Sequence, residues 1–339
     1  MRQFLFAFTV AAIACSQQSA FGVVLAYDGF DYANDAAPVV GLNGGTGWTS
    51  GWIDGGLGGG GFTVSQDDTS MSLSSFPFTT VGDRVLAVGA GTGGNSMRVA
   101  RPLPSTFDMA QDGVLYASFL VKKINSSTAT TNNNMEFGLN SGTGGNGTIR
   151  FGATSTNQFF LNDNTSVPAG QNFGAMTLGD TYFGVLKVQS SAASEDVLSA
   201  HIFDSTETVA TSEPETWDKT KNFTSIAVLD HVRLWIGVQA SGEFDEIRIG
   251  NTWADVTSPA TVLTGDYNLN GKVDGADYVY WRKHHGEDPN GYTQWRANFG
   301  LPGGRGAGLS GTSAVPEPGT LILLAMASAG AAARRRRKS

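Results

Sequence analysis

From Tyr27 to about Thr257 the apolar residues alternate with polar ones instead of recurring at helical spacing, which is the period of strands buried on one face. Val232, Leu234, Ile236 and Val238 share one face of such a segment. Leu198, Ala200 and Ile202 share a face of another, with Ser199 and His201 turned away. The stretch from Val114 to Val121 is apolar on both faces, which predicts a central strand. Phe183 to Val188 and Val197 to Phe203, joined by a polar link, predict a hairpin with a long loop. Turn signals separate the segments at Gly44-Gly45, Gly55 to Gly61, Gly93-Gly94-Asn95, Asn132 to Asn134, Gly144 to Gly147 and Asn162 to Asn164. Many short strands with these separators predict a mainly β fold, a two-sheet antiparallel sandwich forming one domain of roughly 230 residues.

Composition agrees with that reading. The 339 residues include 45 Gly, 22 Lys+Arg and 30 Asp+Glu, and only 15% are charged. So much Gly with so little Lys and Glu disfavours helical bundles. Nucleic acid is excluded as a partner, because the net charge is -8 and the only dense basic run, Arg334 to Lys338, sits at the extreme C-terminus.

Both ends carry sorting chemistry. Met1-Arg2 precedes an apolar run from Phe4 to Ala14 and then small and polar residues, the layout of a secretory signal peptide over residues 1–26. Val24 and Ala26 at the two specificity positions place the cut after Ala26, and a cut after Gly22 is the second choice. Cys15 reads as a discarded signal residue or, after Ala12-Ile13-Ala14, as a weak lipidation box. At the other end, Val315-Pro316-Glu317-Pro318-Gly319-Thr320 precedes thirteen small or apolar residues, Leu321 to Ala333, and then the basic tail. Thirteen is short of the roughly twenty that a permanent spanning helix needs, and the tail favours the cytoplasmic side. The result is a transient membrane stop behind a helix-breaking motif whose extended backbone a processing enzyme can reach. This run resembles the PEP-CTERM sorting signal of Gram-negative bacteria. The resemblance implies processing by an exosortase near Pro316, Glu317 and Pro318, a transient C-terminal sorting helix over residues 315–339, and delivery to the cell surface or extracellular matrix. With both signals removed, 16 basic and 29 acidic residues remain, a net charge of -13, and no Cys. Such a chain is held by its core or by bound metal.

The closing segment Gly242-Glu243-Phe244-Asp245-Glu246-Ile247-Arg248-Ile249-Gly250 and the opening Tyr27-Asp28-Gly29-Phe30-Asp31-Tyr32 resemble the edge strands of concanavalin A-like (LamG-type) jelly rolls. The resemblance implies a carbohydrate-binding or adhesive scaffold, sometimes a glycosidase. Laminarinase-like relatives carry a Glu-x-Asp-x-Glu strand, whose alternate carboxylates share a face for retaining hydrolysis. Here the second Glu comes one residue early and Ile247 stands in its place. Glu246 therefore points to the opposite face unless a bulge re-aims it, and no catalytic residue is assigned. His201, His231 and the His284-His285 pair show no triad or metal spacing. Gly55 to Gly61 lacks a following Gly-Lys-Ser/Thr and reads as a surface loop, not a phosphate cradle. Trp48, Trp52 and Trp217 flank Gly-rich or polar loops and are candidate glycan contacts, with burial as the competing use.

The sharpest local pattern is Asp266-Tyr267-Asn268-Leu269-Asn270-Gly271-Lys272-Val273-Asp274-Gly275-Ala276-Asp277. It sets oxygen side chains at loop positions 1, 3, 5, 9 and 12 with Gly at 6, a spacing that wraps one Ca2+. The expected ligands are Asp266, Asn268, Asn270, the Lys272 carbonyl, Asp274 directly or through water, and Asp277. The alternative is an Asx-rich turn capped by Asp277. Asp at position 12 followed by Tyr278-Val279-Tyr280-Trp281-Arg282 resembles a type I dockerin. That family has two loop-helix repeats and usually binds cohesins. Tyr292-x-x-Trp295-Arg296 repeats the helix fourteen residues on, but only Glu287-Asp288-Pro289-Asn290 lies between Gly286 and Gly291, so the second loop is missing. One ion is expected, and a cohesin-binding face is in doubt.

The expected organisation is a signal peptide at 1–26, a jelly roll at 27–257, a linker at 258–264, a dockerin-like module at 265–300, a Gly/Ser-rich spacer at 301–314 and a sorting signal at 315–339. The expected function is that of an exported, non-catalytic surface or matrix protein whose sandwich binds a polysaccharide or a surface protein and whose calcium module docks. A secreted jelly-roll glycoside hydrolase is the alternative.

Overall fold

The computed structural model describes residues 24–301 except 33–35, 58–59, 66–68, 77–79, 81, 91–94, 126–132, 144–148, 164–170, 224–227, 258–263, 268–272 and 285–289. The leader up to residue 23, most of the linker, Asn268, Asn270, Lys272, the spacer from 302 on, and the sorting helix with Pro316, Glu317 and Pro318 lie outside the described residues.

In chain order the strands are β1 Ala26–Asp28, β2 Ile53–Asp54, β3 Phe62–Val64, β4 Val85–Val88, β5 Met97–Asp108, β6 Gly113–Asn125, β7 Met135–Asn140, β8 Ile149–Ala153, β9 Gln158–Asp163, β10 Asn172–Ala175, β11 Thr181–Ser190, β12 Asp196–Phe203, β13 Lys219–Phe223, β14 Val228–Ile236 and β15 Ser241–Gly250. The helices are α1 Trp253–Thr257, α2 Gly275–His284 and α3 Gly291–Asn298. Among the described residues the strands form two antiparallel sheets. The first, sheet A, runs β13-β12-β11-β6-β15-β4-β3 with β1 paired to β15; the second, sheet B, runs β10-β9-β8-β7-β14-β5-β2.

Alternation explains how the sheets pack. From β6 of sheet A, Leu115, Ala117, Phe119 and Val121 point inward, and from sheet B Phe137, Leu139, Phe151, Val232, Leu234 and Ile236 meet them in one core. Phe119 stacks on Phe137 with centroids 4.3 Å apart, joining the two layers. The predicted face of Val232, Leu234 and Ile236 and the β11–β12 hairpin are both present, while Val238 falls in the turn after β14. The two-faced apolar run at Val114 to Val121 also has a cause. Tyr116 and Leu120 on the outer face of β6 join Phe183, Val185, Phe203, Met71, Phe76, Trp253 and Val256 in a second core. Sheet A is thus covered on its outer face by the segment around 71–76 and by α1, and Ser118 Oγ donates to the Val256 carbonyl at 2.8 Å.

Beyond the sandwich, α2 and α3 pack through aromatic rings. Tyr278 lies 5.9 Å from Trp281 and 5.0 Å from Trp295. The chain closes the pair by backbone bonds from Val273 N to Leu301 O and from Gly300 N to Val273 O. Among the described residues no helix is long and apolar enough to cross a membrane.

Candidate functional site

The outer face of sheet B has a different composition from that of sheet A. In β7, Met135, Phe137 and Leu139 face the core, so Glu136, Gly138 and Asn140 face out. By register, Arg233 stands opposite Gly138, Trp235 opposite Glu136 and His231 opposite Asn140. Arg150 stands opposite Gly138 on the other side, and Arg98 opposite Trp235. Three arginines, one glutamate, one asparagine, one histidine and one tryptophan therefore share one face.

Glu136 is the hub of this face and is 1% exposed. It is paired with Arg150, whose Nε donates to Oε2 at 3.0 Å, and Arg233 Nη2 donates to the same oxygen at 2.6 Å. Burial alone would push its carboxyl up, but Arg150 and Arg233 outweigh burial and hold it below the ordinary value. Burial lowers Arg233 to about 10, against the pull of Glu136, so it stays cationic at neutral pH. Arg150 also lies over the Phe160 ring at 5.7 Å, and Arg98 Nε donates to the Gly55 carbonyl at 2.6 Å.

Asn140 is the exception in this cluster. Its side chain is fully buried, yet among the described residues neither its amide nitrogen nor its amide oxygen has a hydrogen-bond partner. A Cβ on Gly138 would stand 3.4 Å from both Arg233 Nε and Asn140 Oδ1, so the glycine keeps a gap between these two groups. Beside Asn140, the half-buried His231 is fixed through Nδ1 by Asp230 at 2.6 Å, and Asp230 also accepts from Gly142 N at 2.6 Å. An unsatisfied buried amide is costly, and its place next to cationic donors suits a polar ligand.

The expected glycan contacts lie elsewhere. Trp52 is 1% exposed: its indole Nε1 donates to Asp28 Oδ2 at 2.9 Å and its ring stacks on Phe30 at 5.9 Å. Burial corrects the glycan reading of Trp52, which belongs to an interior cluster with the Asp28–Arg101 ion pair and Tyr32. Trp48 is half-buried under the Arg101 guanidinium at 4.7 Å and donates to the Tyr27 carbonyl. Trp217, also half-buried, meets Trp253 edge-on beside the second core.

The acidic strand of sheet A is occupied by structural ties. A bulge does occur: pairing with β6 slips between Asp245 and Arg248, and Glu246 has φ +52. It turns Glu246 toward Tyr27 Oη at 2.9 Å and Arg248 Nη2 at 3.1 Å. Asp245 accepts from Ser70 Oγ at 2.5 Å and Met71 N at 2.7 Å, and Glu243 pairs with Arg84 and Lys122. A cleft of about 430 Å³ beside this strand is lined by Thr63, Ser65, Arg84, Leu86 and Glu243, and among the described residues Glu243 is its one carboxylate. A retaining pair needs two.

Of the calcium-loop residues, the described ones are Asp266, Asp274 and Asp277. Asp266 and Asp277 are buried, Asp277 Oδ2 accepts from Asp274 N at 2.7 Å, and Asp274 Oδ1 accepts from Ala276 N at 2.7 Å. Among the described residues no three His, Cys, Asp or Glu gather as a metal cluster.

Comparison with known proteins adds two findings. Residues 314–337 match the PEP-CTERM protein-sorting motif, so the chain carries the signal for export and exosortase processing. No curated protein matches the sequence. Among solved structures, the chain is similar to alginate lyase Aly36B, at 12% identity and TM-score 0.39, covering 68% of this chain and 98% of that one. It is also similar to the PL-14 alginate lyase from Aplysia kurodai, at 8% identity and TM-score 0.39, covering 57% and 88%. A third is the Emp46p carbohydrate recognition domain, at 9% identity and TM-score 0.32, covering 57% and 88%.

Proposed function

We propose that this exported sandwich is a non-catalytic surface or matrix protein that binds an acidic polysaccharide along the outer face of sheet B. The observation that carries the reading is Asn140, buried on the same face as Arg150 and Arg233 with both amide atoms unpartnered among the described residues. A sugar carboxylate takes charge-assisted hydrogen bonds from guanidinium and amide donors, and the half-buried Trp235 and His231 offer a ring face and a ring nitrogen to the sugar body. The cationic face stands out on a chain of net charge -8, and the acids of β15 that the glycosidase alternative rests on are tied to other groups. Titration calorimetry on the exported protein should show a soluble polyuronate binding and a neutral glucan not binding. Asn140→Leu should weaken polyuronate affinity at least ~10-fold, since a charge-assisted bond is worth about 1.5–3 kcal/mol. Equal affinity for both glycans would overturn the reading.

A second reading, eliminative cleavage of the same acidic chain, rests on His231. Its Nδ1 is held by Asp230 next to Asn140, which leaves Nε2 to take a proton from the carbon beside a neutralised carboxylate. Such cleavage creates a conjugated double bond, so a rise in ultraviolet absorbance on incubation with polyuronate separates turnover from binding.

For the helical module the proposal is one Ca2+ on Asp266, Asn268, Asn270, the Lys272 carbonyl, Asp274 and Asp277. Support comes from the spacing of the oxygens and from the burial of Asp266 and Asp277, since buried carboxylates need a counter-charge. The ion would tie this loop to α2. Calorimetry on the whole mature chain should give one ion per chain, and two or none would overturn it. With the second loop missing, we assign this module to rigidifying or docking and not to a two-fold cohesin contact.

A further inference from the structure

We infer that the export leader is cut between Gly22 and Val23, upstream of the first strand, so that Leu25 and Ala26 remain in the mature protein. The hydrophobic leader ends at Ala14, and two small-residue sites follow it: Ala20-Phe21-Gly22, and Val24-Leu25-Ala26. Both satisfy the small-residue rule, and by sequence the cut after Ala26 ranks first and the cut after Gly22 second.

The fold distinguishes them. Ala26 is fully buried in the main core and is the first residue of β1, in register with Ile249 of β15. Leu25 N donates to the Ile249 carbonyl at 2.8 Å. Across from this stretch stand two glycines with positive φ, Gly45 at +67 and Gly47 at +79. A Cβ on Gly45 would overlap the Tyr27 carbonyl, and one on Gly47 would overlap the Leu25 carbonyl and stand 2.9 Å from the Ala26 Cα. The sequence thus places a residue without a side chain where the backbone of Leu25 and Ala26 passes. A chain starting at Tyr27 would lose that strand start, the buried Ala26 methyl and the bond to Ile249, and would set an α-ammonium at the sheet. In the inferred cut, water adds across the Gly22–Val23 amide, leaving a carboxylate on Gly22 of the leader and an amine on Val23.

The test is the intact mass and N-terminal sequence of the full chain after export from a bacterial host that carries a signal peptidase. Val23 as the first residue is expected, and any other first residue overturns the inference. Gly22→Leu should abolish the Val23 start, whereas Ala26→Leu should leave it in place. These readouts do not depend on whether the variants fold. In a second measurement, a chain made to begin at Tyr27 should melt ~5 °C below one beginning at Val23, from about 1–2 kcal/mol of lost burial and hydrogen bonding. Equal melting temperatures would overturn the claim that the domain is built around Leu25 and Ala26.

Discussion

The two sheets share one core but present opposite outer faces. On sheet A, Tyr116, Leu120, Phe183, Val185 and Phe203 are covered by Met71, Phe76, Trp253 and Val256, so that face serves stability through apolar burial. On sheet B the same strand alternation brings up Arg98, Glu136, Asn140, Arg150, His231 and Arg233. A buried ion cluster contributes little stability relative to apolar packing of the same volume. On the proposed reading the charged face is kept for a ligand, whereas the apolar face is explained by what it holds.

The largest effects should come from the centre of each face. Phe183→Ala on sheet A should destabilise by ~3–5 kcal/mol, the cost of emptying a buried aromatic site. Glu136→Ala on sheet B should cost a similar ~3–5 kcal/mol, because Arg150 and Arg233 are left without their carboxylate. Urea unfolding measures both. The contrast appears on adding polyuronate: an outside carboxylate can stand in for Glu136, so ligand should recover part of the loss in Glu136→Ala more than in Phe183→Ala. Equal recovery in the two variants would erase the distinction between the faces.

A smaller effect of opposite sign is expected at Asn140. Replacing its unpartnered amide by Leu should raise stability by ~1–2 kcal/mol, since a buried polar group without partners is a net cost, while polyuronate binding is lost. A gain in stability joined to a loss of binding marks a residue kept for a ligand. On sheet A, Leu120→Asn should do the reverse, lowering stability and leaving binding unchanged.

Much of this contrast was legible in the chain, but unevenly. Val114 to Val121, apolar on both faces apart from Ser118, announced a strand buried on both sides. The second layer over sheet A is the reason. On sheet B the signal was also present, as Met135-Glu136-Phe137-Gly138-Leu139-Asn140 and Ile149-Arg150-Phe151, charges alternating with core residues in a chain poor in charge. What the chain does not spell out is register. Glu136, Arg150 and Arg233 come together only through the pairing of β7 with β8 and β14. The Gly-rich neighbours of Trp52 suggest an open loop, yet the indole is buried and a Cβ on the adjacent Gly51 would overlap the Leu42 carbonyl. The bulge at Glu246, with φ +52, shows the same limit, because the partner it meets, Tyr27, comes from the far end of the domain.

The smallest expected effect is the most discriminating, because Asp245 on sheet A and Glu136 on sheet B are both buried and their acidities move in opposite directions. On sheet A, Asp245 is pushed well above its ordinary 3.8, by burial first and by the neighbouring Glu246 charge, against the bonds from Ser70, Met71 and the Glu246 backbone. The folded state then holds a proton that the unfolded state has released, so its contribution to stability is present below 3.8 and is lost as pH rises through the raised value. On sheet B, Glu136 lies below its ordinary 4.5, so its contribution is present above 4.5 and is lost as pH falls through the lowered value. Unfolding free energies measured in steps from mild acid to neutrality should therefore change slope in opposite senses in two variants. Asp245→Asn should remove a decline on the way up, and Glu136→Gln should remove a decline on the way down. Parallel pH profiles in the two variants would mean that the two faces hold their carboxylates alike.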